Sequence, residues 1–370
     1  MTLPDTPLHS VLYDGWSLIY QPNSPQSLHL LAILSCRLEG FQGFLALPGE
    51  PPDWLPPVET TRVIFTANMP RNRLVWEQRI LPGLRRELEA DLLHLTSPTP
   101  PLFGPAVNVV SPSGFGGSHR VGGFSSRLRQ AVSQGGMARL AGLFWPDDLP
   151  DPKGMGAVYR LPPAIPVEFF DLGSKPGDRQ LDESLDLPEA YVLYHGPAEE
   201  TALRRLLNAW SWVAGSVGEM YPLLAIGLED ESRKKLDVLA ASFDLSETVR
   251  SLPAMPPKDL GLIYQRCVAV LHPGDDSPWG GPVRLALASG KPVVSQVSEH
   301  MDALVGPAAY LVKDGEARAL GAALITVLAE EEIAERLSQL GRQRAEAWSL
   351  ETFSQGLLAA YQDMLSKQNK

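Results

Sequence analysis

The residues best placed to do chemistry lie between 267 and 294, CVAVLHPGDDSPWGGPVRLALASGKPVV. Gly280 and Gly281, ahead of Pro282, would offer backbone N–H groups and the positive end of a helix to an anion. Asp275 and Asp276 are adjacent carboxylates, Ser277 adds a hydroxyl, and Arg284 falls one turn into the helix. Elsewhere His94, His195 and His272 end short apolar runs, but no pair has the spacing of a metal site. No Ser/His/Asp arrangement or nucleophile elbow accompanies them.

These side chains need a scaffold, and the same stretch describes one. Residues 268–271 form a short apolar run of the buried parallel-strand type, ending at His272-Pro273. Pro282 suits a first helical turn, 283–288 continue it, and Ser289-Gly290 end it before a second short strand at 293–294. Strand, glycine loop, helix and strand make one βαβ unit, with its loop at the carboxyl edge of the sheet.

The rest of the chain repeats that alternation. In the first half we expect a strand and loop over 11–20, a helix over 24–36 capped by Ser24 with Pro25 at its first position, and strands at 41–47 and 62–66. An amphipathic helix over 74–90 and strands at 91–94 and 107–110 complete it. Residues 111–126, SPSGFGGSHRVGGFSS, read as a glycine-rich surface connection without phosphate-loop spacing. A polar, aperiodic segment then suggests a boundary, with one domain over 1–172, a linker at 173–186, a second domain over 187–347 and a C-terminal helix over 348–370. In the second domain strands are expected at 191–194, 223–226 and 309–312. Helices are expected at 199–213, 230–242, 258–265, 316–328, 331–347 and 350–365. Trp210 and Trp212 read as packing residues.

Composition narrows the function classes. At 370 residues, two domains are the default, and a formal net charge of −11 argues against a nucleic-acid binder. Cys36 and Cys267 lie far apart in apolar runs and read as free thiols in a reducing compartment. No leader pattern and no apolar run near the ~20 residues of a membrane span occur, so a cytoplasmic protein, at most peripheral to a membrane, is expected.

The order of several short signatures resembles the GT-B glycosyltransferases of the family four, or group 1, kind. In the first half these are Trp76-Glu77-Gln78, Pro82 and Asp91-Leu92-Leu93-His94. In the second they are residues 191–196 (YVLYHG), 223–227 (LLAIG), 288–294 (ASGKPVV) and 348–352 (WSLET). The resemblance covers most of the chain. It implies two Rossmann-like domains facing each other across a cleft, C-terminal helices returning toward the first domain, and metal-free, cofactor-free transfer of a sugar from a nucleotide-sugar donor to a glycan or other acceptor. On such a fold the candidate donor contacts are His195, Gly196, Arg204, Arg205, Asp275, Asp276, Ser277, Gly280, Gly281 and Arg284, and the candidate acceptor-side contacts are His94 and Ser111.

Against that pattern the donor equipment is altered. Two glutamates separated by seven residues, which in the family hold the donor sugar and ribose, correspond here to Ser277 and Leu285. The arginine and lysine that face the diphosphate correspond to Glu200 and Thr201, a histidine-aspartate pair to Ser111-Pro112, and a glycine-rich first loop to residues 20–24 (YQPNS). Arg284, Arg204 and Arg205 are the candidate substitute cations, and Asp275 and Asp276 the candidate substitute carboxylates. The alternative expectation is a non-catalytic GT-B scaffold or partner subunit beside a homologous glycosyltransferase.

Overall fold

The computed structural model describes residues 9–63, 69–103, 108–114, 124–152, 157–170, 187–313 and 316–368, together with Leu185. The expected linker at 173–186 otherwise falls outside them, as do 64–66 of the third expected strand, Val107, and 115–123 of the glycine-rich segment.

The first half begins with β1 (His9–Asp14), α1 (Trp16–Tyr20), α2 (Pro25–Leu34), β2 (Phe41–Leu47) and β3 (Glu59–Arg62). Next come α3 (Pro70–Val75), a π-helical turn at Trp76–Ile80, and α4 (Leu81–Glu87). After these follow β4 (Leu92–Leu95), β5 (Asn108–Val110), α5 (Phe124–Met137), β6 (Gly142–Pro146) and β7 (Val158–Leu161). All its strand pairs are parallel, in the order β3-β2-β1-β4-β5-β6-β7. Ser24 caps α2 through its hydroxyl, as its sequence predicts.

The second half opens with β8 (Val192–His195), α6 (Glu200–Val217), β9 (Leu223–Ile226), α7 (Asp230–Ser242), β10 (Val249–Ser251) and α8 (Pro257–Arg266). It continues through β11 (Ala269–His272), α9 (Pro282–Ala288), β12 (Val293–Gln296), α10 (Glu299–Val305) and β13 (Tyr310–Val312). Helices α11 (Ala317–Ala329), α12 (Glu331–Ala345) and α13 (Leu350–Gln368) end it. Its sheet is also wholly parallel, ordered β10-β9-β8-β11-β12-β13. Both orders reverse direction next to the first strand of their half, and in such sheets ligands bind at the carboxyl ends beside that reversal.

Several elements differ from expectation. The third strand lies earlier, at β3, because Glu59 pairs with Phe44 and Arg62 with Leu47. The 11–20 segment turns helical after Asp14, whose carboxylate accepts the Trp16 N–H at 3.1 Å. Strands β6, β7 and β10 and helices α5 and α10 add to the expected set. β10 is three residues long and β7 interrupts its apolar positions with Arg160, so neither carries a clear period.

The two sheets share one apolar core that runs from Val11 and Leu45 to Val270 and Leu285. Helix α13 crosses back to the first half, where Tyr361 reaches His94 and Asp363 accepts from the Tyr159 hydroxyl at 2.7 Å. Both cysteines are free, and burial pushes each thiol up to about 12. Among the described residues no helix is long and apolar enough to cross a membrane, and no group of three or more His, Cys, Asp or Glu could hold a metal ion.

Candidate functional site

The loop between β11 and α9 is held by its own carboxylate. Asp276 is 2% exposed; one oxygen accepts the Ser277 N–H at 2.8 Å and the other the Val283 N–H at 2.9 Å. Burial raises its pKa above the usual carboxylate range. The positive end of α9 thus already faces an anion, one belonging to the chain itself. Gly280 has φ +62°, and a Cβ there would sit 2.4 Å from the Pro25 carbonyl oxygen, so the loop touches α2 across the boundary between the halves.

The position matching the family's first glutamate lies in that contact. The Ser277 hydroxyl is 2.6 Å from the Ser113 carbonyl oxygen and 2.7 Å from that of Trp279, and it is fully buried. Leu285, at the second glutamate position, is core. The intervening Trp279 stacks on His29 of α2 with centroids 4.6 Å apart and directs its indole N–H to the Phe144 carbonyl at 3.4 Å. The two halves therefore meet directly at the loop between β11 and α9.

Arg284 is not presented to the cleft. It is fully buried, forms two 2.7 Å hydrogen bonds to the Asp148 carboxylate after β6, and stacks on Trp348 at 4.8 Å. Burial alone would raise the Asp148 pKa, but bonding and charge from Arg284 hold it below the ordinary value. Arg204 pairs with Glu200 at 2.8 Å on the exposed surface of α6, and Arg205 donates to the Pro273 carbonyl at 3.2 Å. Asp275 accepts from the Ser298 hydroxyl. His94 and Ser111 do meet, at 2.7 Å, but both are buried, and the other His94 nitrogen is taken by Tyr361 at 2.6 Å. Burial lowers the His94 pKa to about 3.

A cleft of about 280 Å³ remains beside the carboxyl ends of β1 and β8. Gln21, Ser24, Pro25, Gln26 and Gly114 line it from the first half, and His195–Glu199, Gly227, Glu229 and Ser232 from the second. Of the residues singled out in the sequence, His195 and Gly196 reach it. His195 Nε2 lies 2.7 Å from the Asn23 carbonyl, which can only accept, so the proton sits there and Nδ1 accepts from the Tyr264 hydroxyl at 2.8 Å. Burial holds this ring neutral, with a pKa lowered to about 4. Among the described residues the cleft lining includes two carboxylates, Glu199 and Glu229, and no lysine or arginine.

Asn23 was not anticipated. Its side-chain amide donates to the Met255 carbonyl at 2.6 Å and accepts the Met255 N–H at 2.9 Å, joining the halves as a strand residue would. Gln21 likewise donates to Glu229 at 2.6 Å. The visible signal was the replacement of the family's glycines by residues 20–24; the partners lie far off in sequence.

Comparison with known proteins agrees with this architecture. Residues 183–344 match the family described as Glycosyl transferases group 1. The O-antigen chain mannosyltransferase B of Escherichia coli is 24% identical over 174 residues, 47% of this chain and 46% of that one, so the match spans less than half of this curated relative. Two solved structures cover nearly all of both chains. Sucrose-phosphate synthase from Thermosynechococcus elongatus superposes with TM-score 0.70 at 16% identity, covering 97% of this chain and 100% of that one. Anabaena HepE, in complex with UDP and glucose, superposes with TM-score 0.68 at 14% identity, covering 95% and 99%. The chain has the GT-B fold of two facing Rossmann-like domains, and its residues 183–344 match the group 1 glycosyltransferase family.

Proposed function

We propose that this chain serves glycan assembly as a glycosyltransferase-type protein whose own nucleotide-sugar site is out of use, working beside an active homologous glycosyltransferase. The observation that carries this reading is the charge of the cleft. Where a donor diphosphate would need cations, the lining has, among the described residues, Glu199 and Glu229 and no lysine or arginine. Losing one charged contact costs ~2–5 kcal/mol, and here several positions lack the required group at once. The contact of Ser277 with Ser113 supports the same conclusion, because the position matched to the family's first glutamate is spent on a bond between the domains.

A second reading is sugar transfer from a nucleotide-sugar donor to a glycan acceptor after the domains part. Arg204 favours it, since its pair with Glu200 is about half exposed on both sides and so is weakly held. That side chain is free to turn toward a phosphate at little cost.

Thermal denaturation with uridine, guanosine and adenosine diphosphates and their sugars separates the two. A ligand at 100 times its Kd stabilises by ~2.7 kcal/mol, a readily measured shift. We expect no shift and no release of nucleoside diphosphate in the presence of glycan acceptors. A shift accompanied by transfer, lost in Arg204→Ala, would establish the second reading instead.

A further inference from the structure

The cleft beside His195 keeps the form of a binding site, while its described lining has two carboxylates and no cation for a nucleotide. Its volume of about 280 Å³ lies at the small end of ligand pockets, which run ~300–1,000 Å³. That space suits one sugar ring better than a nucleoside, two phosphates and a sugar together.

Two of its carboxylates are placed in a way that helix capping does not explain. Glu199 is the N-cap of α6 and Glu229 the N-cap of α7, yet neither side chain bonds a backbone N–H of its helix. Glu229 accepts the Gln21 amide at 2.6 Å. The Glu199 side chain makes no hydrogen bond or ion pair among the described residues, although it lines the cleft and is half-buried. A carboxylate has about four lone-pair sites and can accept from two neighbouring hydroxyls at once. Around this pair, Ser24, Gln26 and Ser232 add neutral donors and acceptors, and Pro25, Pro197 and Ala198 add apolar contact. This mixture of carboxylate, amide and hydroxyl groups over a small apolar surface matches a polyhydroxylated ring without negative charge.

We propose that this cleft binds one non-anionic sugar unit of a glycan, with Glu199 and Glu229 accepting hydrogen bonds from its hydroxyl or amino groups. The proposal rests on reading the cleft as unsuited to a nucleotide donor, and it adds the class of ligand. Phosphorylated or carboxylated sugars are excluded by the same two carboxylates that would hold a neutral or amine-bearing one.

The test is titration of the full chain with methyl α-D-glucopyranoside, methyl α-D-mannopyranoside and glucosamine, followed by calorimetry or saturation-transfer NMR, with glucose 1-phosphate as the anionic control. At least one of the three should bind saturably in the millimolar range and glucose 1-phosphate should not. Glu199→Ala and Glu229→Ala should each weaken binding about tenfold, the loss of a charged hydrogen bond. Ser232→Trp, which fills the cleft, should abolish it while the melting temperature stays near that of the parent. No saturable binding of any of the three at tens of millimolar, or binding unchanged in the alanine variants, overturns the proposal. If the nucleotide panel is then silent too, the non-catalytic reading survives the loss of this site. Binding of UDP that displaces a bound methyl glycoside would overturn both.

Discussion

The Ser277 hydroxyl lies 2.6 Å from the Ser113 carbonyl oxygen, although 164 residues separate them, and this contact joins the two domains. Ser277 and Leu285 are both fully buried, so restoring glutamate at both should not restore donor binding. The Ser277→Glu/Leu285→Glu double variant would set carboxylates against a carbonyl oxygen and within the core. We expect a loss of at least 3 kcal/mol in urea unfolding and no stabilisation by UDP-glucose, since an uncompensated buried charge costs ~3–5 kcal/mol.

Arg284 and Asp148 form the buried ion pair across the domains, with Trp348 against the guanidinium. Arg284→Ala and Asp148→Ala should each destabilise by ~3–5 kcal/mol, because each strands the other charge. Arg284→Lys should also cost stability, since an ammonium cannot make both bonds. A double variant, Arg284→Met with Asp148→Leu, should lose much less than the sum of the single losses in urea titrations.

The buried histidines make stability depend on pH. Burial lowers His195 to about 4 and His94 to about 3, and His29 well below its ordinary value, against ~6.5 in an unfolded chain. Folded values lie below unfolded ones, so between them the unfolded state binds more protons. Their contribution is complete above pH 6.5 and is lost as pH falls toward 4 and 3. By pH 5 each should have lost on the order of 2 kcal/mol relative to pH 7. Urea midpoints at pH 7, 6 and 5 should fall in sequence, and His195→Gln should make that dependence shallower.

Gly280 and Gly40 share a left-handed backbone but not their surroundings. At Gly40, φ +78°, a Cβ would meet nothing within 4 Å; at Gly280, φ +62°, it would strike the Pro25 carbonyl and the His29 nitrogen. Gly40→Ala should therefore cost only the ~1–2 kcal/mol of the left-handed conformation. Gly280→Ala should add ~1–3 kcal/mol of overpacking between domains and raise hydrogen exchange in α2 and the loop before α9.

Elements governed by near neighbours were legible in the chain alone. Ser24-Pro25 announced α2, alternating apolar and glycine segments announced β9 and the β11–α9–β12 unit, and the absence of carboxylates at 277 and 285 was visible as residue types. Helix caps, apolar runs and turn residues act over a few positions, which is the range that spacing can report.

What fills the cleft was decided by the tertiary structure. Asn23 meets Met255 over 232 residues, Arg284 meets Asp148 over 136, and Trp279 stacks on a histidine of the opposite domain. Arg284 read as a candidate cation for a ligand until packing placed Asp148 beside it, and Asp276 as a candidate substitute carboxylate until it turned onto two N–H groups. A residue type states which bonds a side chain can make. Only the packing of the two sheets and their helices against each other determines whether those bonds are left for a ligand or are spent within the chain.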